Sequence, residues 1–263
     1  MFRAEHVSIA SGLFSQCPGY KKVGLTAGFD PNGGGFAQYV RALPWVAERG
    51  MVAVPDDISF DEAAFIEPVN TCIKAVEKAR VAAGETAVVM GLGPIGLLLA
   101  MLSKLEGAVV IGSDPMPERR AKSVLLGIDL AVDPREGRLS EEIRAHTQGR
   151  GADVVLVAVP IPAALTDALN LARPGGRVLL FAQNDPLMKI EFPAAAVGVD
   201  EKEILGSYSA AIDRAGDAAR LIFTHKLPVK QLISHHFSLE DMDKALQLAA
   251  RPVGDSLKVV IHP

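Results

Sequence analysis

Three glycines in one short run carry the most specific chemistry in the sequence. Gly91-Leu92-Gly93-Pro94-Ile95-Gly96 follows an apolar strand-like run at 86–90 and opens a helical run at 95–105. A G-x-G-x-x-G turn between a strand and a helix is the form that cradles a dinucleotide pyrophosphate. Gly91 permits the tight turn, Gly93 removes a side chain where phosphate must approach, and Gly96 lets the helix pack on the strand. Pro94 and Ile95 lead into that helix, whose free N–H groups and positive dipole end attract an anion. The second chemical residue is Asp114, at the end of the next strand and about 20 residues past the loop. A carboxylate there accepts the adenosine ribose hydroxyls and repels a 2′-phosphate, which favours NAD over NADP. Arg119 and Arg120 soften that preference, because an arginine can pair with the 2′-phosphate or simply cover the adenine. A P-loop is disfavoured, since Leu97-Leu98 follow Gly96 where Lys and Ser or Thr are needed. A methyltransferase is disfavoured too, because Val88-Val89-Met90 lead into the loop without an acidic residue. Taken alone, the glycines also fit a purely structural turn.

A regular alternation of elements surrounds these residues. Strand-like runs at 86–90, 108–113, 130–132, 153–157 and 177–181 alternate with helical runs at 95–105, 118–126, 139–147 and 163–171. Continuous apolar strands joined by helices imply an α/β fold, a doubly wound parallel sheet (Rossmann) covered on both faces. Residues 201–208 read as a further strand, 213–224 and 238–250 as helices, and 257–261 as a closing strand. Composition shifts near residue 85. Upstream lie the turn cluster Pro31-Asn32-Gly33-Gly34-Gly35 and short β-like runs at 36–40 and 51–54. Ser59-Phe60-Asp61-Glu62 forms a capping box, and Pro68 demands either two abutting helices or one kinked helix.

Composition narrows the function classes. The 263 residues carry a net charge of −4, with 49% hydrophobic and 22% charged side chains. These proportions exclude a largely disordered chain and suggest no nucleic-acid or anionic-membrane partner. The longest apolar run, 87–102, is broken by glycines and a proline and is too short to span a membrane. The opening MFRAEHVSIASGLF lacks the pattern of a secretion signal, so a cytoplasmic location is expected. Two cysteines, Cys17 and Cys72, make neither a disulfide framework nor a self-sufficient thiolate zinc site. Cys72 reads as a core thiol, and His225, His235, His236 and His262 as solvated or packing histidines.

Several further segments, in one order, carry a resemblance. They are Gly34-Gly35-Phe36-Ala37-Gln38-Tyr39-Val40, Glu67-Pro68, Gly91 to Gly96, Gly151-Ala152-Asp153-Val154-Val155, Arg173-Pro174-Gly175-Gly176-Arg177-Val178, Ile204-Leu205-Gly206-Ser207 and Lys258-Val259-Val260-Ile261. With them the chain resembles the zinc-dependent medium-chain dehydrogenases, in particular the sorbitol (polyol) and threonine dehydrogenase branch. The resemblance implies a Rossmann domain over 76–224 and a partial GroES-like β-barrel catalytic domain from 1–75 and 225–263. It implies hydride transfer between NAD(P) and a small-molecule alcohol or polyol, with zinc polarising the oxygen. Ala158 and Val159 match the segment along the nicotinamide ribose, and Phe181 and Ala182 the segment beside the carboxamide. A homo-oligomer joined edge to edge through the Rossmann sheet is also implied.

Glu67 matches the acidic residue that lies beside, or ligates, the catalytic zinc in this branch. At a helix start it also fits a plain dipole partner. The other catalytic ligands of the family, an upstream cysteine and a Gly-His-Glu motif, have no counterpart, as in a chain that starts inside the barrel domain. Glu67 alone cannot hold zinc, which needs three protein ligands and an open position. Cys17 matches the fourth cysteine of the family's structural zinc lobe, but Arg3, His6 and Ile9 occupy the other positions, so no structural zinc is expected. Two other functions compete: an NAD-binding module without dehydrogenase activity, and a zinc-free, NADPH-dependent reductase of the quinone oxidoreductase kind. Asp114 argues against the latter.

Overall fold

The computed structural model describes residues 14–16, 34–42, 44–182, 185 and 187–263. The chain divides into two compact units. One is Thr71–Tyr208; the other joins the described residues up to Asn70 to Ser209–Pro263.

Thr71–Tyr208 is built on a sheet of six parallel strands among the described residues. These are β1 (Thr86–Met90), β2 (Val109–Ser113), β3 (Leu130–Val132), β4 (Ala152–Val157), β5 (Ala172–Leu180) and β6 (Glu203–Gly206), in the order β3-β2-β1-β4-β5-β6. The order reverses between β1 and β4, the switch point beside which doubly wound sheets bind their ligands. β1 and β4 are buried along their whole length, as strands covered on both faces must be. The crossovers are the helices Pro94–Leu105, Pro117–Leu125, Leu139–His146 and Pro162–Leu171. Each except Leu139–His146 starts on proline, whose missing N–H costs nothing in a first turn. The Pro94–Leu105 helix buries Leu97 to Ser103 without a break, so it is apolar all round rather than striped.

β5 begins five residues ahead of the expected 177. Arg173-Pro174-Gly175-Gly176 hides a strand from any propensity reading, yet the chain pairs with β4 through a register shift between Ala152 and Val154. Beneath it, at the N-terminal end of the sheet, Asp153 is buried. It accepts the Thr86 N–H at 2.9 Å and lies within salt-bridge reach of Arg173 and Arg150. Burial would raise its carboxyl, but these three partners together hold it below the ordinary range. Arg177 donates to the Ala79 and Arg80 carbonyls at the end of the Ile66–Ala79 helix and pairs with Glu85. Several segments that carry the family resemblance are therefore clamps at the edge opposite the glycine loop.

The other unit holds the helices Pro44–Gly50, Phe60–Ala63, Ala215–Phe223 and Met242–Ala250, the start of Ile66–Ala79, and two parallel strands, β7 (Ile233–Ser238) and β8 (Lys258–His262). Residues 209–224, expected with the Rossmann part, cluster here, and Ala215–Phe223 packs on Phe60–Ala63. The capping box forms as expected: the Glu62 N–H donates to Ser59 Oγ at 3.3 Å, and the Ser59 N–H donates to Glu62 Oε2 at 3.2 Å. The proline question resolves as two abutting helices, with Pro68 in the first turn of Ile66–Ala79. The expected β-like runs at 36–40 and 51–54 are irregular. Phe36, Tyr39 and Val40 are exposed, and β-propensity expresses fit to a half-buried pleated surface that is lacking around them among the described residues. Conversely, Ile233–Ser238 forms a strand that its sequence, ISHHFS, did not announce. No described helix is long and apolar enough to cross a membrane.

Candidate cofactor site

The glycine loop follows directly from the end of β1. Gly91 has φ +94° and donates its N–H to the Ser113 carbonyl at 2.7 Å, tying the turn to the end of β2. A Cβ on Gly91 would stand 2.4 Å from Val159 Cγ1, and one on Gly96 would stand 1.7 Å from the Gly91 carbonyl oxygen. Both glycines are therefore demanded by the fold itself. Gly93 is different. Its φ of −66° suits any residue, and a Cβ there would meet nothing closer than Arg119 Nη1 at 3.6 Å. Nothing among the described residues requires a glycine at this position. It caps the Pro94–Leu105 helix without a side-chain hydrogen bond, so no cap competes for the Ile95 and Gly96 N–H groups.

Asp114, just past β2, is buried under this loop. Its Oδ2 accepts the Leu92 N–H at 2.8 Å and its Oδ1 the Met116 N–H at 2.8 Å. Each carboxylate oxygen keeps a further lone pair for a hydroxyl donor. The two arginines expected near it part company. Arg120 turns away, donating to the Asp114 carbonyl at 2.7 Å and to Asp133 at 3.1 Å. Arg119 stays beside Gly93 with Nη1 3.6 Å from Asp114 Oδ2, and its Nε–H is buried without an acceptor among the described residues. A buried donor left unpaired costs about 1–3 kcal/mol, so an acceptor supplied by a ligand has a place to bind here.

The remaining expected contacts line the same sheet edge. Ala158 donates its N–H to the Met90 carbonyl at 2.9 Å, and Val159 overlies Gly91. The Phe181 and Ala182 N–H groups both reach the Val157 carbonyl, at 3.1 and 3.2 Å. Gly91, Gly93, Pro94, Ile95, Gly96, Asp114, Arg119, Ala158 and Val159 thus surround one loop, with Phe181 and Ala182 one strand further along. Ser207 joins them unforeseen as a site residue. It follows β6, donates its N–H to the Leu180 carbonyl at 3.1 Å, and buries an Oγ with no partner among the described residues. Its only signal in sequence is a serine directly after the run Ile204-Leu205-Gly206. An orphaned guanidinium nitrogen, an open Gly93 and an uncapped helix start fit a dinucleotide.

Glu67 lies in the other unit, in the first turn of Ile66–Ala79. Solvent reaches its side chain, yet the surrounding protein pushes its carboxyl above the usual range, with Lys258 opposing. It belongs to no trio of metal-ligating side chains among the described residues. The described surroundings of Glu67 therefore do not build a zinc site, and no step is derived through zinc. Arg3, His6, Ile9 and Cys17, which bear on the structural zinc lobe, lie outside the described residues. Cys72 is a buried core thiol, its Sγ 3.9 Å from the Ile95 carbonyl.

Comparisons with known proteins agree with this arrangement. Residues 94–224 match the family model described as zinc-binding dehydrogenase. The sorbitol dehydrogenase of Halalkalibacterium halodurans is 31% identical over 260 residues, covering 96% of this chain and 71% of that protein. The sorbitol dehydrogenase of Bacillus subtilis is 28% identical over 256 residues, covering 96% and 69%. A Sinorhizobium meliloti structure, assigned as a zinc-binding dehydrogenase and bound to NADP, superimposes with a TM-score of 0.73 at 28% identity. That match covers 80% of this chain and 61% of the other. The chain therefore spans about 60–70% of the length of these relatives. The order of its strands, its loop and these matches agree: the chain belongs to the zinc-type medium-chain dehydrogenases and is sorbitol dehydrogenase-like.

Proposed function

We propose that this chain binds NAD across the C-terminal edge of its sheet and serves the oxidation of an alcohol or polyol. The observation that carries the reading is Gly93, a glycine that nothing among the described residues demands, beside Arg119, whose buried Nε–H has no acceptor among them. When bound, the nicotinamide exchanges a hydride with the substrate carbon. The Pro94–Leu105 helix start and Arg119 would hold the pyrophosphate. Asp114 would accept the adenosine ribose hydroxyls through the lone pairs that Leu92 and Met116 leave free. Ala158 and Val159 would lie along the nicotinamide ribose, and Phe181 and Ala182 beside the carboxamide. The buried carboxylate of Asp114, which would repel a 2′-phosphate, supports NAD over NADP, although the Sinorhizobium meliloti relative holds NADP.

The catalytic part of the reading rests on family membership. We assign residues 76–208 to the dinucleotide-binding domain, and 1–75 with 209–263 to a partial GroES-like catalytic domain in which Glu67 is the residue that family membership places beside the zinc. A cytoplasmic homo-oligomer is proposed as well, supported by β6, whose outer edge has no partner strand among the described residues. A second reading follows from the lone carboxylate at Glu67: the chain binds the dinucleotide without turnover. Titration with NADH and NADPH, followed by a panel of polyols with NAD, tests both. NADH binding about tenfold tighter than NADPH binding, with polyol oxidation, supports the first. Binding without oxidation selects the second, and binding of neither nucleotide contradicts both.

A further inference from the structure

Outside the cofactor loop, three side chains from distant parts of the chain converge within the unit that contains Glu67. β7 and β8 pair in parallel with His236 opposite Val260, so His262, two residues further along β8, lies on the same face. His236 Nδ1 and His262 Nε2 are 3.0 Å apart, and the rings stack with centroids 5.3 Å apart. Asp61, in the first turn of Phe60–Ala63, places Oδ2 3.5 Å from His236 Nδ1 and Oδ1 3.6 Å from His262 Nε2.

The two imidazoles share one hydrogen bond, and Asp61 completes none with either of them. The two contacts to Asp61 are too long for hydrogen bonds, and only one proton fits between the two facing nitrogens. Three ligand atoms, one from each residue, lie within 4.8 Å of one another, all of them able to offer a lone pair. Ligands held tetrahedrally around a metal at about 2.0–2.1 Å stand roughly 3.3 Å from one another. The 3.0 Å between the two nitrogens and the 3.5 Å from His236 Nδ1 to Asp61 Oδ2 lie on either side of that value. Two imidazoles and a carboxylate suit a borderline divalent transition ion such as zinc, cobalt, nickel or copper, rather than the all-oxygen preference of magnesium or calcium.

We infer that Asp61, His236 and His262 form a binding site for one zinc-class divalent ion. The site is separate from Glu67, which is not among its ligands. The remaining coordination is left to water, since both histidines are about half exposed. Such an ion staples the Phe60–Ala63 turn to β7 and β8, tying three stretches of one unit at a single point. Because it binds the native arrangement and not the unfolded chain, it raises stability by mass action.

Cobalt(II) is the direct probe, since its visible absorption reports both occupancy and geometry. The full chain is stripped with a chelator and titrated with cobalt, then with zinc in competition. The expected result is one equivalent of cobalt in a low-symmetry nitrogen–oxygen site, displaced by zinc, with a zinc-dependent rise in Tm. His236→Ala combined with His262→Ala abolishes both signals, whereas Glu67→Gln keeps them. Should the double variant fail to fold, Asp61→Asn, which keeps the side-chain volume, weakens cobalt binding about tenfold or more. Undiminished binding in Asp61→Asn and in the folded double variant overturns the inference, as does the absence of any cobalt signal in the parent chain.

Discussion

The glycine loop after β1 and the start of the Ile66–Ala79 helix offer sequence signals of similar length, yet they close very differently in three dimensions. Around the loop, several of the expected residues have a physical task in the fold itself. Gly91 and Gly96 are forced by contacts of 2.4 and 1.7 Å, Asp114 holds two N–H groups, and Arg119 retains a donor for a ligand. Around Glu67 there is a raised carboxyl and one opposing lysine, and it belongs to no trio of metal-ligating side chains among the described residues. A motif that carries its own backbone geometry is complete wherever it occurs. A metal ligand set is complete only when several distant segments arrive together.

The sharpest way to break this contrast is Gly96→Ala. Its methyl would overlap the Gly91 carbonyl, so unfolding free energy should fall by about 2–3 kcal/mol and NADH binding should be lost. Urea titration with and without NADH measures both. Unchanged stability would mean that the loop and helix do not pack as described.

Asp114→Asn comes next. One of its two N–H partners loses an acceptor, costing about 1–3 kcal/mol, and the carboxylate charge that rejects a 2′-phosphate disappears. The NADH to NADPH affinity ratio should fall about tenfold, a change of about 1.4 kcal/mol in relative binding energy. A ratio that stays put would place the 2′-position elsewhere.

Glu67→Gln is the smallest effect and sharpens the other side. Desolvation by the protein packed beside it raises the partly exposed Glu67 carboxyl in the native state, so the folded chain holds that proton more tightly than the unfolded chain. Its contribution to native stability is therefore present below pH 4.5, the unfolded value, and declines as pH rises through the raised native one. The glutamine variant should melt slightly higher than the parent at pH 7, and the difference should vanish below pH 4.5. A lower Tm at pH 7 in zinc-containing buffer would instead show Glu67 serving a metal.

Much of the sheet was legible because its strands are uniformly apolar and its helices strictly spaced. The strand at 130–132 is found where expected, and the Pro94–Leu105 helix starts one residue earlier than expected. The failures have physical causes. β5 hides its first residues behind Pro174 and two glycines, and the runs at 36–40 and 51–54 have strand composition without a neighbouring strand among the described residues. Arg119 and Arg120 are adjacent and chemically identical in sequence; only the turn of the Pro117–Leu125 helix gives one to the loop and the other to Asp133. His236 and His262 are 26 residues apart, and no periodicity in the chain connects them. Their meeting depends on the parallel register of β7 with β8.

The most direct test of dinucleotide binding compares the parent chain with Gly93→Ser in an NADH titration. Serine is a good helix N-cap, Gly93 already holds a conformation open to it, and nothing crowds its Cβ, so Tm should be unchanged or slightly higher. The new hydroxyl fills the approach to the helix start and takes its N–H groups, so NADH affinity should drop at least about tenfold, or about 1.4 kcal/mol. Equal affinity in the two proteins, both folded, would contradict a dinucleotide held at this loop.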